Sequence, residues 1–221
     1  ALDANTTASD NIAIGKDALG ANTTGAGNVA IGSLTGDAIT TGASNVALGT
    51  QALGTNITGS YNTATGFESM FANTASNNTA YGATSLRTNT SGVANTALGQ
   101  STLYDNTGGS YNTAVGFLAL NDNTTASNNT AVGASALQLN TTGASNTALG
   151  HNAAANSTTA SNNVALGVNA LNVNTTGATN VAVGAGALLR NTTASNNTSV
   201  GYNSLTANTT GANNTACGQA A

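Results

Sequence analysis

Proline and tryptophan are absent, and cysteine, methionine and histidine occur once each. A single cysteine cannot staple a small fold and says little about redox compartment. Charge is scarce too. Only 5% of the 221 residues are charged, with three Lys or Arg, seven Asp or Glu and a formal net charge of −4. Three basic side chains cannot form a phosphate-tracking patch, so nucleic acid is not an expected partner. No apolar run reaches the roughly 18 to 20 residues of a membrane span, so membrane insertion is not expected. A targeting segment, for an exported protein, is expected to lie outside this sequence.

What remains is dominated by Ala (43), Thr (39), Asn (35) and Gly (27), about two-thirds of the chain. Ile, Val, Leu and Phe make up only about 17%, below the usual globular range. Disordered chains combine that deficit with high net charge and frequent proline, and this one has neither. Its few aliphatics are also strictly placed.

The placement is a repeat. Asparagine recurs at Asn11, Asn28, Asn45, Asn62, Asn78, Asn95, Asn112, Asn129, Asn146, Asn163, Asn180, Asn197 and Asn214. Every interval is 17 residues except the 16 from Asn62 to Asn78, where the Asn73–Thr74–Ala75 turn is one residue short. With each of these asparagines as position 1, the unit reads N-[T/V]-A-[V/L/I]-G-x-x-[A/S]-L-x-x-N-T-T-[G/A]-[A/S]-[N/S]. Position 5 is always glycine: Gly15, Gly32, Gly49, Gly66, Gly82, Gly99, Gly116, Gly133, Gly150, Gly167, Gly184, Gly201 and Gly218. Position 3 is Ala in every copy but one, which carries Ser199.

The alternation over positions 2 to 4, as in Val164–Ala165–Leu166, has the period of a short strand. Gly at position 5 permits a tight turn. Positions 8 and 9, as in Ala170–Leu171, suggest a second short strand with Leu inward, and the Asn-Thr-Thr segment a longer turn. Helix is disfavoured, because Gly, Asn and Thr interrupt every unit. Two strands and two turns per 17 residues make one coil of an all-β parallel β-solenoid of about thirteen coils. The array is expected to run as one continuous domain over residues 1–221.

Stacked about 4.8 Å apart, thirteen coils would give a rod about 60 Å long. The position-4 aliphatics (Ile14, Ile31, Leu48, Leu98, Val115, Val132, Leu149, Leu166, Val183 and Val200) are expected to form one core column. Leu19, Leu53, Met70, Leu86, Leu103, Leu120, Leu137, Leu171, Leu188 and Leu205 would form another. Asparagines at positions 1 and 12 are expected to form amide ladders between coils. Two or three aliphatics, each worth about 1.5 to 3 kcal/mol when buried, must order a whole coil. So thin a core suggests further burial between chains, in a parallel homotrimer.

The segments Asn163–Val164–Ala165–Leu166–Gly167 and Asn28–Val29–Ala30–Ile31–Gly32 resemble the head repeats of trimeric autotransporter adhesins. The form with N-T-T-G turns, such as Asn112 to Asn128, also resembles repeats of phage and bacterial tail-fibre proteins. The resemblance spans all thirteen strands and implies a left-handed parallel β-roll, three chains wide. The adhesin unit is shorter, and extra residues in the Asn-Thr-Thr turn account for the difference.

Function is therefore expected to be architectural. The chain reads as a structural rod of an extracellular fibre, or an adhesin or tail-fibre shaft on a cell surface or virion. Ala1–Leu2 fall at positions 8 and 9 and Ala221 at position 8, so both ends are expected to be open half-coils. They belong either to a fragment of a longer tract or to an end-to-end polymer. Self-association is the main expected partnership, with a cell-surface or glycan receptor as a further one. Adhesion would concentrate in Tyr61, Phe67, Tyr104, Tyr111 and Phe117. Sequons at Asn22, Asn56, Asn89, Asn123, Asn140, Asn174, Asn191 and Asn208 are candidate glycosylation sites, against the alternative that Asn and Thr simply abound in turns.

No enzyme is expected, and no cofactor. His151 stands alone at a variable turn position. The acidic residues Asp3, Asp10, Asp17, Asp37, Glu68, Asp105 and Asp122 do not recur at one repeat position, as a calcium β-roll needs. Cys217 takes a position-4 place, where burial or a chain-end location is expected. Ice binding is the alternative function. Thr63, Thr79, Thr96, Thr113, Thr130 and Thr147 occupy position 2, but Val or Ile does so in some other coils, and position 4 is aliphatic.

Overall fold

The computed structural model describes residues 1–221. It is an all-β parallel β-solenoid with one three-residue strand per coil and no helix. The chain falls into two compact units, Ala1–Tyr111 and Asn112–Ala221. The first contains β1 (Ile12–Ile14), β2 (Val29–Ile31), β3 (Val46–Leu48), β4 (Thr63–Thr65), β5 (Thr79–Tyr81) and β6 (Thr96–Leu98). The second contains β7 (Thr113–Val115), β8 (Thr130–Val132), β9 (Thr147–Leu149), β10 (Val164–Leu166), β11 (Val181–Val183), β12 (Thr198–Val200) and β13 (Thr215–Cys217). Within each unit, successive strands pair in parallel with like positions opposed, as in Ile12↔Val29 and Val164↔Val181. Thr63 pairs with Thr79, so the 16-residue interval leaves register intact.

Glycine ends each strand. Position 5 has φ between +126° and +139° in every copy, a conformation L side chains rarely adopt. The stack also needs its missing side chain: a Cβ on Gly116 would lie 2.7 Å from the Gly133 carbonyl.

Positions 8 and 9 do not form the second strand expected from sequence. Leu19, Leu53 and Leu137 are left-handed, with φ of 50°, 52° and 51°. Overlapping i to i+3 bonds run through this segment, Gly20 N–H to Asp17 C=O (3.2 Å) and Asn22 N–H to Leu19 C=O (3.2 Å). Left-handed backbone costs a non-glycine residue about 1 to 2 kcal/mol. Burial of the leucine, worth about 1.5 to 3 kcal/mol, offsets it. Leu19, Leu53 and Leu137 have no exposed surface.

The strand faces the opposite way from the sequence expectation. Ala30, Ala47, Ala148 and Ala165, at position 3, are buried, whereas Ile14 at position 4 is 59% exposed and Leu149 50%. The core is therefore built from position-3 alanines against the position-9 leucines, and the position-4 aliphatics lie outside it. A single strand opposite a leucine row leaves space for a methyl group, which explains why position 3 is Ala or, once, the buried Ser199. Cys217 is exposed for the same reason, since position 4 points outward.

Asparagines supply the polar half of the interior. At position 1, the Asn28 N–H donates to Asn11 Oδ1 (2.8 Å) and Asn28 Nδ2 donates to the Gly42 carbonyl one coil on (2.9 Å). The second unit repeats this at Asn163, with Asn146 Oδ1 and the Gly177 carbonyl, both at 3.0 Å. The partner at position 1 is thus mainly backbone. At position 12 the amides bond to one another, Asn106 Nδ2 to Asn89 Oδ1 (2.9 Å) and Asn140 Nδ2 to Asn123 Oδ1 (3.0 Å).

Candidate interaction face

Because position 3 points inward, positions 2 and 4 point outward in every coil. Within each unit they form a two-row sheet face, and none of the thirteen strands carries a charged residue. Its character changes along the sequence. β1 to β3 carry only Ile, Val and Leu in the two rows, whereas β4 to β9 carry Thr at position 2. Ile12 is 51% exposed, and Ile31, Leu98 and Val200 are also exposed. Tyr81 and Thr65 take the position-4 places in β5 and β4.

Two aromatic side chains flank β4: Tyr61 at position 17 and Phe67 at position 6, both exposed. Tyr111 and Phe117 occupy the same repeat positions and are exposed as well. Tyr104 differs. Its ring lies 5.7 Å from the Arg87 guanidinium carbon, and the Phe71 ring lies 5.3 Å from it. Arg87 Nε also meets Glu68 Oε2 at 2.6 Å. The Glu68 hydrogen bond, more than any other interaction, holds the Arg87 pKa above its ordinary value. This Phe71–Arg87–Tyr104 stack at position 10 left no trace in the repeat pattern, because the position is variable.

The candidate glycosylation sites require correction. Asn22, Asn56, Asn89, Asn123, Asn140, Asn174 and Asn191 have no exposed surface. Nδ2 is the atom a glycan would occupy, yet that of Asn140 donates to both Asn123 Oδ1 and the Gly143 carbonyl (2.9 Å). In Asn208, at the last turn of this kind, Nδ2 still donates to Gly211 C=O (2.8 Å). A fully buried asparagine at position 12 leaves no room for sugar. The following threonines are divided between two tasks. Thr141 and Thr158 at position 13 donate to the carbonyls of Thr158 and Thr175, at 3.0 and 3.1 Å. Position-14 threonines such as Thr142 and Thr159 are exposed. This hydroxyl-to-carbonyl ladder was not anticipated, although Thr at position 13, replaced only by Ile57, is its signature.

His151 is exposed in its turn. No three His, Cys, Asp or Glu side chains cluster in a way that could hold a metal ion, and no helix is long and apolar enough to cross a membrane. A pocket on the last coil is lined by Leu205, Thr206, Ala220 and Ala221 among others and has no titratable side chain. Asp37 carries a pKa raised chiefly by burial, with Asp17 adding to the rise against backbone hydrogen bonds that lower it. No family model, curated protein or solved structure matches the chain.

Proposed function

We propose that this chain is a structural shaft that associates side by side with copies of itself through the outward face of its strands. The observation that carries the reading is the pair of uncharged rows at positions 2 and 4, with Ile12 and Ile14 each more than half exposed. Covering a half-exposed aliphatic side chain contributes on the order of 1 kcal/mol. The sum over many coils supplements a core that has, in most coils, one leucine and one strand alanine. A second copy suits the face because it shares the 17-residue pitch and so presents matching rows. An ordinary partner would need charge complementarity that these rows do not offer.

A parallel homotrimer is the assembly proposed, in an extracellular fibre or an adhesin or tail-fibre shaft. The outward-facing aliphatics add to the sequence argument from a thin core. The test is particle mass together with electron microscopy of the full chain. Short rods of three chains support the proposal; single chains overturn it; long filaments place end-to-end stacking above lateral contact.

One observation favours a second reading, ice binding. The position-2 threonines of β4 to β9 face outward in consecutive coils within each unit, beside position-4 side chains on the same sheet surface. Flat rows of methyl and hydroxyl groups at a fixed spacing near 4.8 Å are suited to ordering water. Thermal hysteresis in dilute solution, lost on Thr130→Lys, would support this reading, and its absence would remove it.

A further inference from the structure

The coil over residues 146–162 departs from its neighbours at two interior positions. Position 9 is Ala154, between Leu137 and Leu171 in the adjoining coils, and position 12 is Ser157, between Asn140 and Asn174. Relative to Leu and Asn, this coil lacks about five non-hydrogen atoms of side chain, and a water molecule's share of liquid volume is about 30 Å³. Ala154, Ser157 and Asn140 are all buried.

The position-12 ladder breaks at the same place. In the next coils, Asn191 Nδ2 donates to Asn174 Oδ1 at 2.9 Å. Asn140 Oδ1 has no such donor, because Ser157 carries a hydroxyl where an amide would reach. Asn140 Oδ1 and Ser157 Oγ are both buried without a hydrogen-bond partner. Buried oxygens left unpaired cost about 1 to 3 kcal/mol each, so paired orphans in one column point to a shared partner.

We propose that this coil holds an internal water that donates to Asn140 Oδ1 and hydrogen-bonds Ser157 Oγ, carrying the ladder across the break. The first unit supplies a control. Asn22 Oδ1 is likewise buried without a partner, but the next position 12 is Ile39. An ideal Cβ on Gly36, at position 9, would lie 3.0 Å from Ile39 Cδ1, so Ile39 fills the space that Leu takes in other coils. That site has an aliphatic side chain where the other has the Ser157 hydroxyl, and no water is assigned to it.

Ser157→Ala gives opposite signs for the two cases. With the water present, the change removes one of its anchors and lowers Tm by about 2 to 4 °C. Without it, the change deletes an unpaired buried hydroxyl, and Tm stays level or rises, which overturns the proposal. A high-resolution crystal structure of the full chain supplies a readout independent of variant folding. Density within about 2.7 to 3.0 Å of both oxygens is expected; direct contact between the two side chains, or an unfilled gap, would refute it.

Discussion

Two coils replace both members of the Leu–Asn pairing at positions 9 and 12, and they do so differently. Residues 28–44 combine Gly36 with Ile39, and residues 146–162 combine Ala154 with Ser157. In the first, an aliphatic moves from one interior position to another and volume is nearly conserved, so the coil stays dry at the cost of one orphaned amide oxygen. In the second, both side chains shrink and both remaining groups at the ladder are polar. The lesson is that the interior tolerates a break in its amide ladder only where volume or a polar guest compensates.

A glycine substitution sets the scale. Gly116→Val places a β-branched side chain at φ +126° against the Gly133 carbonyl. It is expected to cost roughly 3 to 5 kcal/mol from strain and overpacking combined, measured by urea denaturation. Unchanged stability would remove the stacking role of position 5.

Ile39→Asn restores the consensus ladder residue in the first exceptional coil while emptying the space beside Gly36. If volume decides, it destabilises by about 2 to 4 kcal/mol; a stabilised variant would mean that the amide ladder outweighs packing. The converse change in the other coil has the opposite sign. Ala154→Leu combined with Ser157→Asn rebuilds both rows and is expected to add about 0.5 to 2 kcal/mol. A loss of stability there would show that the coil's backbone has adapted to small residues.

The smallest effect concerns Asp37, in the Gly36–Ile39 coil. Its pKa is raised in the folded state, mainly by burial. The folded chain therefore binds more protons than the unfolded chain between the two pKa values. The stabilising contribution present at low pH is lost as pH rises through that window. Asp37→Asn should remove that part of the pH dependence, raising the denaturation midpoint relative to the parent at pH about 7 more than at pH about 3. Equal shifts at both values would contradict the assignment.

The coil length, the glycine turn and the interior leucines were legible because each recurs at one repeat position. The facing of the strand was not. Three alternating residues fit either orientation, and assigning the larger aliphatics inward inverts the whole set. The better signal was size restriction: Ala at position 3 varies only to Ser199, while position 4 accepts Ile, Leu, Val, Thr, Tyr and Cys. The second strand failed for another reason. Leucine has no preference for left-handed backbone, so nothing at Leu137 announces φ of 51°. The sequons at position 12 misled because Asn140 serves the interior through both amide hydrogens.

The outward strand face is the centre of the functional proposal, and sedimentation equilibrium tests it most directly. The full chain, 21.2 kDa as a monomer, is expected to sediment as three copies, and Ile14→Lys combined with Ile31→Lys is expected to release single chains that keep their β-rich circular dichroism. A parent protein that stays monomeric across the accessible concentration range would contradict the account.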